Sequence, residues 1–184
     1  RIDRTQRLPL SPAQQRLWFL EQFPATEAVY NTPACLQWRG KLDVGVLTRC
    51  INHLVARHES LRTAFVTQGE GGDTGVPVLQ ISDQLSVDIP LLSVTESEAV
   101  ALAEADFATP FVLSQAPLLR LKVLRLRADR YWLLLNFHHL ITDAWSMSLF
   151  LRELGLCYAA FEQNDQAPEL PLLDIQYADY ASWQ

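Results

Sequence analysis

Phe137-His138-His139-Leu140-Ile141-Thr142-Asp143-Ala144-Trp145-Ser146 is the stretch on which the reading of this chain turns. It follows the apolar run Tyr131-Trp132-Leu133-Leu134-Leu135, which has the length and composition of a buried strand. Imidazoles at the end of such a strand cost desolvation energy unless partners meet them, so the fold has a reason to hold them there. Successive side chains on a strand point to opposite faces. His138 and His139 therefore cannot both enter one cleft: one is expected to face a reactive site and the other to be packed. Asp143 precedes a helical pattern and is placed to cap it.

Working outward, Leu118 to Leu126 and Tyr131 to His138 read as paired strands around Ala128-Asp129-Arg130. After Asp143, a helix is expected from Ala144 to about Gln163, with Leu149, Phe150, Leu154, Leu156, Cys157 and Phe161 as its apolar positions. Ser11-Pro12-Ala13-Gln14 opens a helix with a capping box and is expected to run to Phe23, before Pro24. Asn31 to Trp38 reads as a strand, and Asp43 caps a helix that ends near Glu59 or Ser60. Leu61 to Gln68 and Val76 to Ile81 read as strands joined by a hairpin loop rich in Gly69, Gly71, Gly72 and Gly75. A further short strand is expected within Ser86 to Leu92, then a helix from Thr95 to about Phe107. Asp174 is a candidate cap for a last helix bearing Tyr177, Tyr180 and Trp183. Strands and helices mix without strict alternation, so the class is α+β: a mostly antiparallel or mixed sheet with helices packed on it.

The 184 residues carry a net charge of −6, with 49% hydrophobic and 20% charged residues. That is the composition of one globular unit, and its acidic balance argues against nucleic acid as a partner. No apolar run reaches membrane-spanning length and no signal-peptide pattern is present, which points to the cytoplasm. Cys35, Cys50 and Cys157 are odd in number and widely spaced, as buried free thiols in a reducing compartment would be. The chain begins at Arg1 without Met and ends inside a periodic segment, so a piece of a longer polypeptide is expected.

Several constellations have an ordinary reading beside a chemical one. The histidine pair is either a proton-exchanging site or two satisfied side chains at a strand end. Asp143 is a helix cap, a member of a buried ion pair or a direct relay to His139. His, His and Asp are permissible metal ligands, but strand alternation separates the two histidines, and His53 and His58 lack ligand spacing to them; no metal is expected. No P-loop, dinucleotide fingerprint or nucleophile elbow is present. His58 sits where a helix C-terminus favours a cation. Arg120, Lys122, Arg125, Arg127 and Arg130 form either a solvated strand face or a docking surface for an acidic partner. Trp18, Phe19, Trp145 and Trp183 read as core or cleft lining.

Four segments in register resemble the condensation domain of nonribosomal peptide synthetases. They are Ser11-Pro12-Ala13-Gln14-Gln15-Arg16-Leu17-Trp18-Phe19-Leu20, Arg57-His58-Glu59-Ser60-Leu61-Arg62-Thr63-Ala64-Phe65, His138-His139-Leu140-Ile141-Thr142-Asp143-Ala144, and Tyr177-Ala178-Asp179-Tyr180-Ala181-Ser182-Trp183-Gln184. The resemblance implies a chloramphenicol acetyltransferase-like fold of two lobes, with residues 1–184 as the N-terminal lobe, cut before the C-terminal one. It implies that an acceptor aminoacyl thioester attacks a donor acyl or peptidyl thioester to form a peptide bond. Both substrates would arrive on phosphopantetheine arms of donor and acceptor carrier domains, with no cofactor bound by the lobe itself.

By the same resemblance His139 is the catalytic residue, acting either as a base toward the attacking amine or by orienting it and stabilising the tetrahedral intermediate. His138 is a packing residue, and Asp143 is structural, paired with an arginine for which Arg62 is the candidate. Ala144, Trp145 and Ser146 complete the surroundings; the family usually has Gly where this chain has Ala144. Retention of both histidines and the full first segment resembles the type that joins an L-donor to an L-acceptor. An epimerisation domain, another acyltransferase of the same fold and a module that only binds carrier domains are the alternatives. The lobe alone is expected to be inactive, since the second wall of its tunnel would be missing.

Overall fold

A computed structural model describes residues 1–23, 28–68 and 75–184. The elements in order are β1 (Leu8–Pro9), α1 (Pro12–Leu20), β2 (Asn31–Arg39), α2 (Val44–Arg57), a 3-10 turn (Glu59–Arg62), β3 (Thr63–Gln68), β4 (Val76–Ile81), β5 (Leu91–Ser93), α3 (Glu96–Ala108), β6 (Leu119–Arg127), β7 (Arg130–His138), α4 (Ala144–Asn164) and α5 (Tyr177–Trp183).

β7 is the central strand because its side chains can be buried on both faces. It pairs antiparallel with β2 on one side and with β6 on the other, and β5 joins β6 in parallel, giving the order β2-β7-β6-β5. Leu133, Leu135 and Phe137 point into the main core with Ile51, Leu54 and Val55 of α2 and Phe150 and Leu154 of α4. Leu134 points the other way, onto Ala99 and Ala103 of α3. A second sheet, β1-β4-β3, is wholly antiparallel.

Local chemistry starts each long helix. Ser11 and Gln14 form a complete capping box at α1, and Thr95 and Glu98 form one at α3. The Asp43 carboxylate accepts from the Val46 N–H to open α2. Long-range polar contacts then lock the helices together. Glu153, buried in α4, accepts from His58 Nε2 at 2.6 Å and lies 3.4 Å from Arg57 Nε, joining α4 to the end of α2. Arg4 grips Asp179 of α5 with two hydrogen bonds of 2.8 and 3.0 Å and reaches Glu59 at 3.0 Å, so one guanidinium ties together both ends of the chain and the 3-10 turn. Such planar bidentate pairing is specific to arginine.

The structure departs from the sequence reading in identifiable places. α1 stops at Leu20 instead of Phe23; Pro24, and Gly69, Gly71 and Gly72 of the expected hairpin loop, lie outside the described residues. Between β4 and α3 only Leu91–Ser93 is a strand. α5 is capped from Gln176, because Asp174 lies too far upstream. Cys50 and Cys157 are buried thiols, pushed up to about 12 and about 11 by burial, but Cys35 is exposed, since alternation on edge strand β2 turns it outward. Phe19, Trp145 and Trp183 are exposed and do not belong to the core; Trp18 is half-buried. Arg120 and Lys122 are engaged with buried Asp106 of α3, Arg125 with Ser93 and Arg130 with Glu96, so this strand face is pinned to its own fold.

Asp179 is held well below its ordinary value, chiefly by the Arg4 hydrogen bonds, so its contribution is full at neutral pH and is lost only as pH falls below about 3.8. Asp179→Ala is expected to lower unfolding stability by about 3–5 kcal/mol at pH 7, because it strands the Arg4 charge. Urea unfolding with an unchanged m-value is the measurement, and the gap to the wild type narrows at the lowest pH.

Candidate active site

β7 ends at His138, and the backbone then turns through His139-Leu140-Ile141-Thr142 into α4. The His139 N–H donates to the Tyr30 carbonyl at 2.9 Å, just ahead of β2, which fixes where the turn leaves the sheet. The Ile141 N–H closes back on the His138 carbonyl at 3.0 Å. The Leu140 carbonyl accepts from Gln14 Nε2 of α1 at 3.0 Å.

The two imidazoles are held in opposite states. The Leu140 N–H donates to His138 Nδ1 at 3.1 Å, so that nitrogen carries a lone pair and the ring proton sits on Nε2. That proton faces Glu21 Oε1 of α1 at 3.4 Å, and the ring meets Phe111 edge-to-face at 6.1 Å. His138 is 2% exposed, and burial, reinforced by the neighbouring His139, pushes it down to about 4. Burial also raises the Glu21 carboxyl. His139 is the reverse: its ring is exposed, and Nδ1 lies 2.6 Å from the Thr142 carbonyl. A carbonyl only accepts, so Nδ1 carries the proton and Nε2 of the neutral ring presents a lone pair. Among the described residues nothing bonds that nitrogen. The end of β7 and the turn that follows it thus separate the pair into one packed and one presented imidazole.

Asp143 is a helix cap. Its carboxylate accepts from the Ser146 N–H at 2.8 Å, while its own N–H donates to Ser146 Oγ at 2.7 Å. These bonds lower its pKa, the Ser146 main-chain contact first. Neither the ion pair with Arg62 nor the relay to His139 forms: Arg62 donates to the Ser82 carbonyl beyond β4, and Nδ1 of His139 is taken by Thr142. Asp143 is exposed, and its Oδ1 is engaged by its own helix. The Ser146 hydroxyl also meets that of Thr142 at 3.0 Å. Ala144 opens α4 with helical backbone, so its place does not require glycine, and Trp145 beside it is 83% exposed. His53 lies on α2 and His58 just past its end, and no cluster of three His, Cys, Asp or Glu side chains that could hold a metal occurs among the described residues. Likewise, no described helix is long and apolar enough to cross a membrane.

Sequence reasoning missed three participants. Gln14 is more than a cap partner, and Glu21 meets His138 across 117 positions of sequence, for which no local pattern exists. Glu153 left a signal: a charge at helical spacing between Phe150 and Cys157, on the apolar stripe.

Losing one exposed cap is expected to cost about 1 kcal/mol, within a range of about 0.5–2, instead of the several kcal/mol of a broken buried pair. Thermal unfolding of Asp143→Ala measures it. His138 gives a separate pH signature. Its folded value lies below its unfolded value of 6.5, so protonation favours the unfolded chain. The stability it supports is complete above pH 6.5 and falls away between pH 6.5 and about 4. A loss of up to about 3 kcal/mol is expected across that window in urea titrations, and it flattens in His138→Asn.

The family profile described as the condensation domain matches residues 4–184. A linear gramicidin synthase of Brevibacillus parabrevis is 42% identical over 188 residues, covering 100% of this chain and 4% of that protein. Among solved structures, the complex of the X-domain and OxyB from teicoplanin biosynthesis aligns with a TM-score of 0.88 at 30% identity, covering 100% of this chain and 39% of that one. The first condensation domain of the calcium-dependent antibiotic synthetase, in complex with a substrate analogue, aligns at 0.80 and 28% identity over 90% of this chain and 40% of that one. The chain therefore spans well under half the length of the relatives it matches. These lobes carry the chloramphenicol acetyltransferase-like fold expected above, and a match running from Arg4 through the histidine turn to the last helix means that this chain belongs to the condensation domain family.

Proposed function

We propose that this chain is the N-terminal lobe of a condensation domain in a nonribosomal peptide synthetase, and that His139 serves its peptide-bond-forming step. The observation that carries this reading is the His139 ring, fixed by Thr142 with its second nitrogen unbonded and exposed. The amino group of an acceptor aminoacyl thioester attacks the carbonyl of a donor acyl or peptidyl thioester. The C–N bond forms, the amine loses a proton, and the donor's C–S bond breaks to release the carrier thiol. Nε2 of His139 has the lone pair to take that proton or to orient the amine that loses it. No covalent enzyme intermediate is required, because the donor thioester is already activated.

Donor and acceptor carrier domains, bearing their substrates on phosphopantetheine arms, and a C-terminal lobe are the partners this reading needs; a cytoplasmic location suits them. Both histidines and the full first segment support the type joining an L-donor to an L-acceptor. On this reading His138 takes no part in proton transfer, being buried and spent on Leu140 and Glu21, and Asp143 serves as the cap of α4.

The likeness to the X-domain, whose solved complex holds OxyB, supports a second reading: a lobe that recruits a protein partner without turnover. The two diverge at one residue. In the full-length synthetase, with both carriers loaded, His139→Ala is expected to cut amide formation by about 10²–10⁴-fold while carrier binding stays unchanged. Absence of amide from wild type and variant alike would favour recruitment, equal amide rates in the two would remove His139 from the chemistry, and loss of the α-proton from a carrier-bound substrate would favour epimerisation. The 184 residues alone are expected to bind a carrier domain and form no amide.

A further inference from the structure

We propose that Gln14 is a positioning residue for His139, bracing from α1 the turn that orients the imidazole. The inference rests on the condensation reading above and adds a residue to it. Gln14 is 5% exposed. Its carboxamide is used at both ends: Oε1 accepts from the Ser11 N–H at 3.1 Å, and Nε2 donates to the Leu140 carbonyl at 3.0 Å. The first contact fixes the amide so that the second must be a donor, and only a donor suits a carbonyl. Helix capping alone would need Oε1 and leave Nε2 free to meet water. Here Nε2 instead crosses 126 positions of sequence to the residue after His139.

That carbonyl is the buried end of a short loop of bonds. The Leu140 N–H sets the His138 ring, the Ile141 N–H sets the His138 carbonyl, and the Thr142 carbonyl two residues on sets Nδ1 of His139. Rotation of the peptide after Leu140 would move the Thr142 carbonyl off Nδ1 and release the His139 ring. Gln14 is the side chain from a distant element that opposes this rotation. A reacting group misplaced by about 1 Å costs on the order of 10²-fold in rate, so a brace without contact to substrate still shows in turnover.

The test uses the full-length protein that carries this chain. Gln14→Met keeps the volume and removes both polar contacts. It is expected to lower kcat for amide formation by about 10–100-fold with KM for the loaded carriers unchanged. Ser11→Ala is the stability control: it loses the α1 cap and the 3.0 Å contact to the Tyr177 hydroxyl, but keeps the main-chain N–H that holds Gln14. It is expected to melt lower while keeping wild-type kcat. Gln14→Glu supplies a readout that folding does not imitate. An ionised carboxylate cannot donate to Leu140 and a protonated one can, so the ratio of its rate to that of the wild type should climb as pH falls from about 8 to about 5.5.

A turnover-free arm separates this proposal from the condensation reading. Carbethoxylation of His139 by diethyl pyrocarbonate, mapped by peptide mass, is expected to quicken about fivefold in Gln14→Met as the Nδ1 bond is lost, with His53 as internal reference. Should the wild type form no amide but Gln14→Met still show this rise, the condensation reading fails and the brace stands. Unchanged His139 modification, a pH-flat Gln14→Glu ratio, or an equal kcat loss in Ser11→Ala would overturn the brace. If Gln14→Met does not accumulate as folded protein, the Gln14→Glu ratio and its His139 modification decide.

Discussion

Everything at the site depends on the hydrogen bond between His139 Nδ1 and the Thr142 carbonyl, 2.6 Å long and closed within a single turn. It fixes a tautomer, and the tautomer determines which nitrogen can do chemistry. A neutral imidazole has one donor and one acceptor; committing the donor to main chain leaves the acceptor to the exterior. Because the acceptor of that bond is a backbone carbonyl, the ring can be no better placed than the loop. The loop is accordingly over-determined, with ties to Tyr30, to His138 and to Gln14, each from a different part of the chain.

The neighbouring His138 shows what the same side chain does when the strand turns it inward. Its lone pair is consumed by the Leu140 N–H and its proton faces Glu21, so it serves as a polar peg in a dry place. Burial, reinforced by the neighbouring His139, holds it uncharged, pushed down to about 4. One strand end and the turn after it thus hold two imidazoles in opposite surroundings, one buried and one exposed.

The legible part of the fold is the part governed by neighbours in sequence. The caps at Ser11, Asp43, Thr95 and Asp143 each reach three residues ahead, and all four helices start where those residues place them. The split of the histidine pair is what strand alternation predicts. What the sequence could not display is pairing between distant charges. Asp143 and Arg62 looked complementary, yet Asp143 turns to Ser146 and Arg62 to the Ser82 carbonyl, while Arg4 finds Asp179 across 175 positions and Glu153 finds His58 across 95. Residue type says that a buried charge needs a partner; only packing says which. The aromatic side chains misled for a related reason. Large apolar residues are normally a guide to the interior, but Phe19, Trp145 and Trp183 stand on surfaces that this lobe does not itself cover.

That exposure bears on how much of the catalytic power the lobe holds. A well-set base contributes about 10²–10⁴-fold, whereas holding two reactants in attacking geometry is equivalent to about 10⁵–10⁸ M of local concentration. On the proposed reading the first factor is assigned to the His139 turn. The second requires walls on both sides of the amine and the thioester, and an imidazole exposed beside an 83% exposed tryptophan offers one wall. If the proposed function holds, the larger share of rate enhancement falls to whatever seats both substrates against Nε2. On that reading the task left to residues 1–184 is narrower: to keep one lone pair aimed at a fixed point, with the core, the tie from α1 and a buried second histidine all holding the turn that aims it.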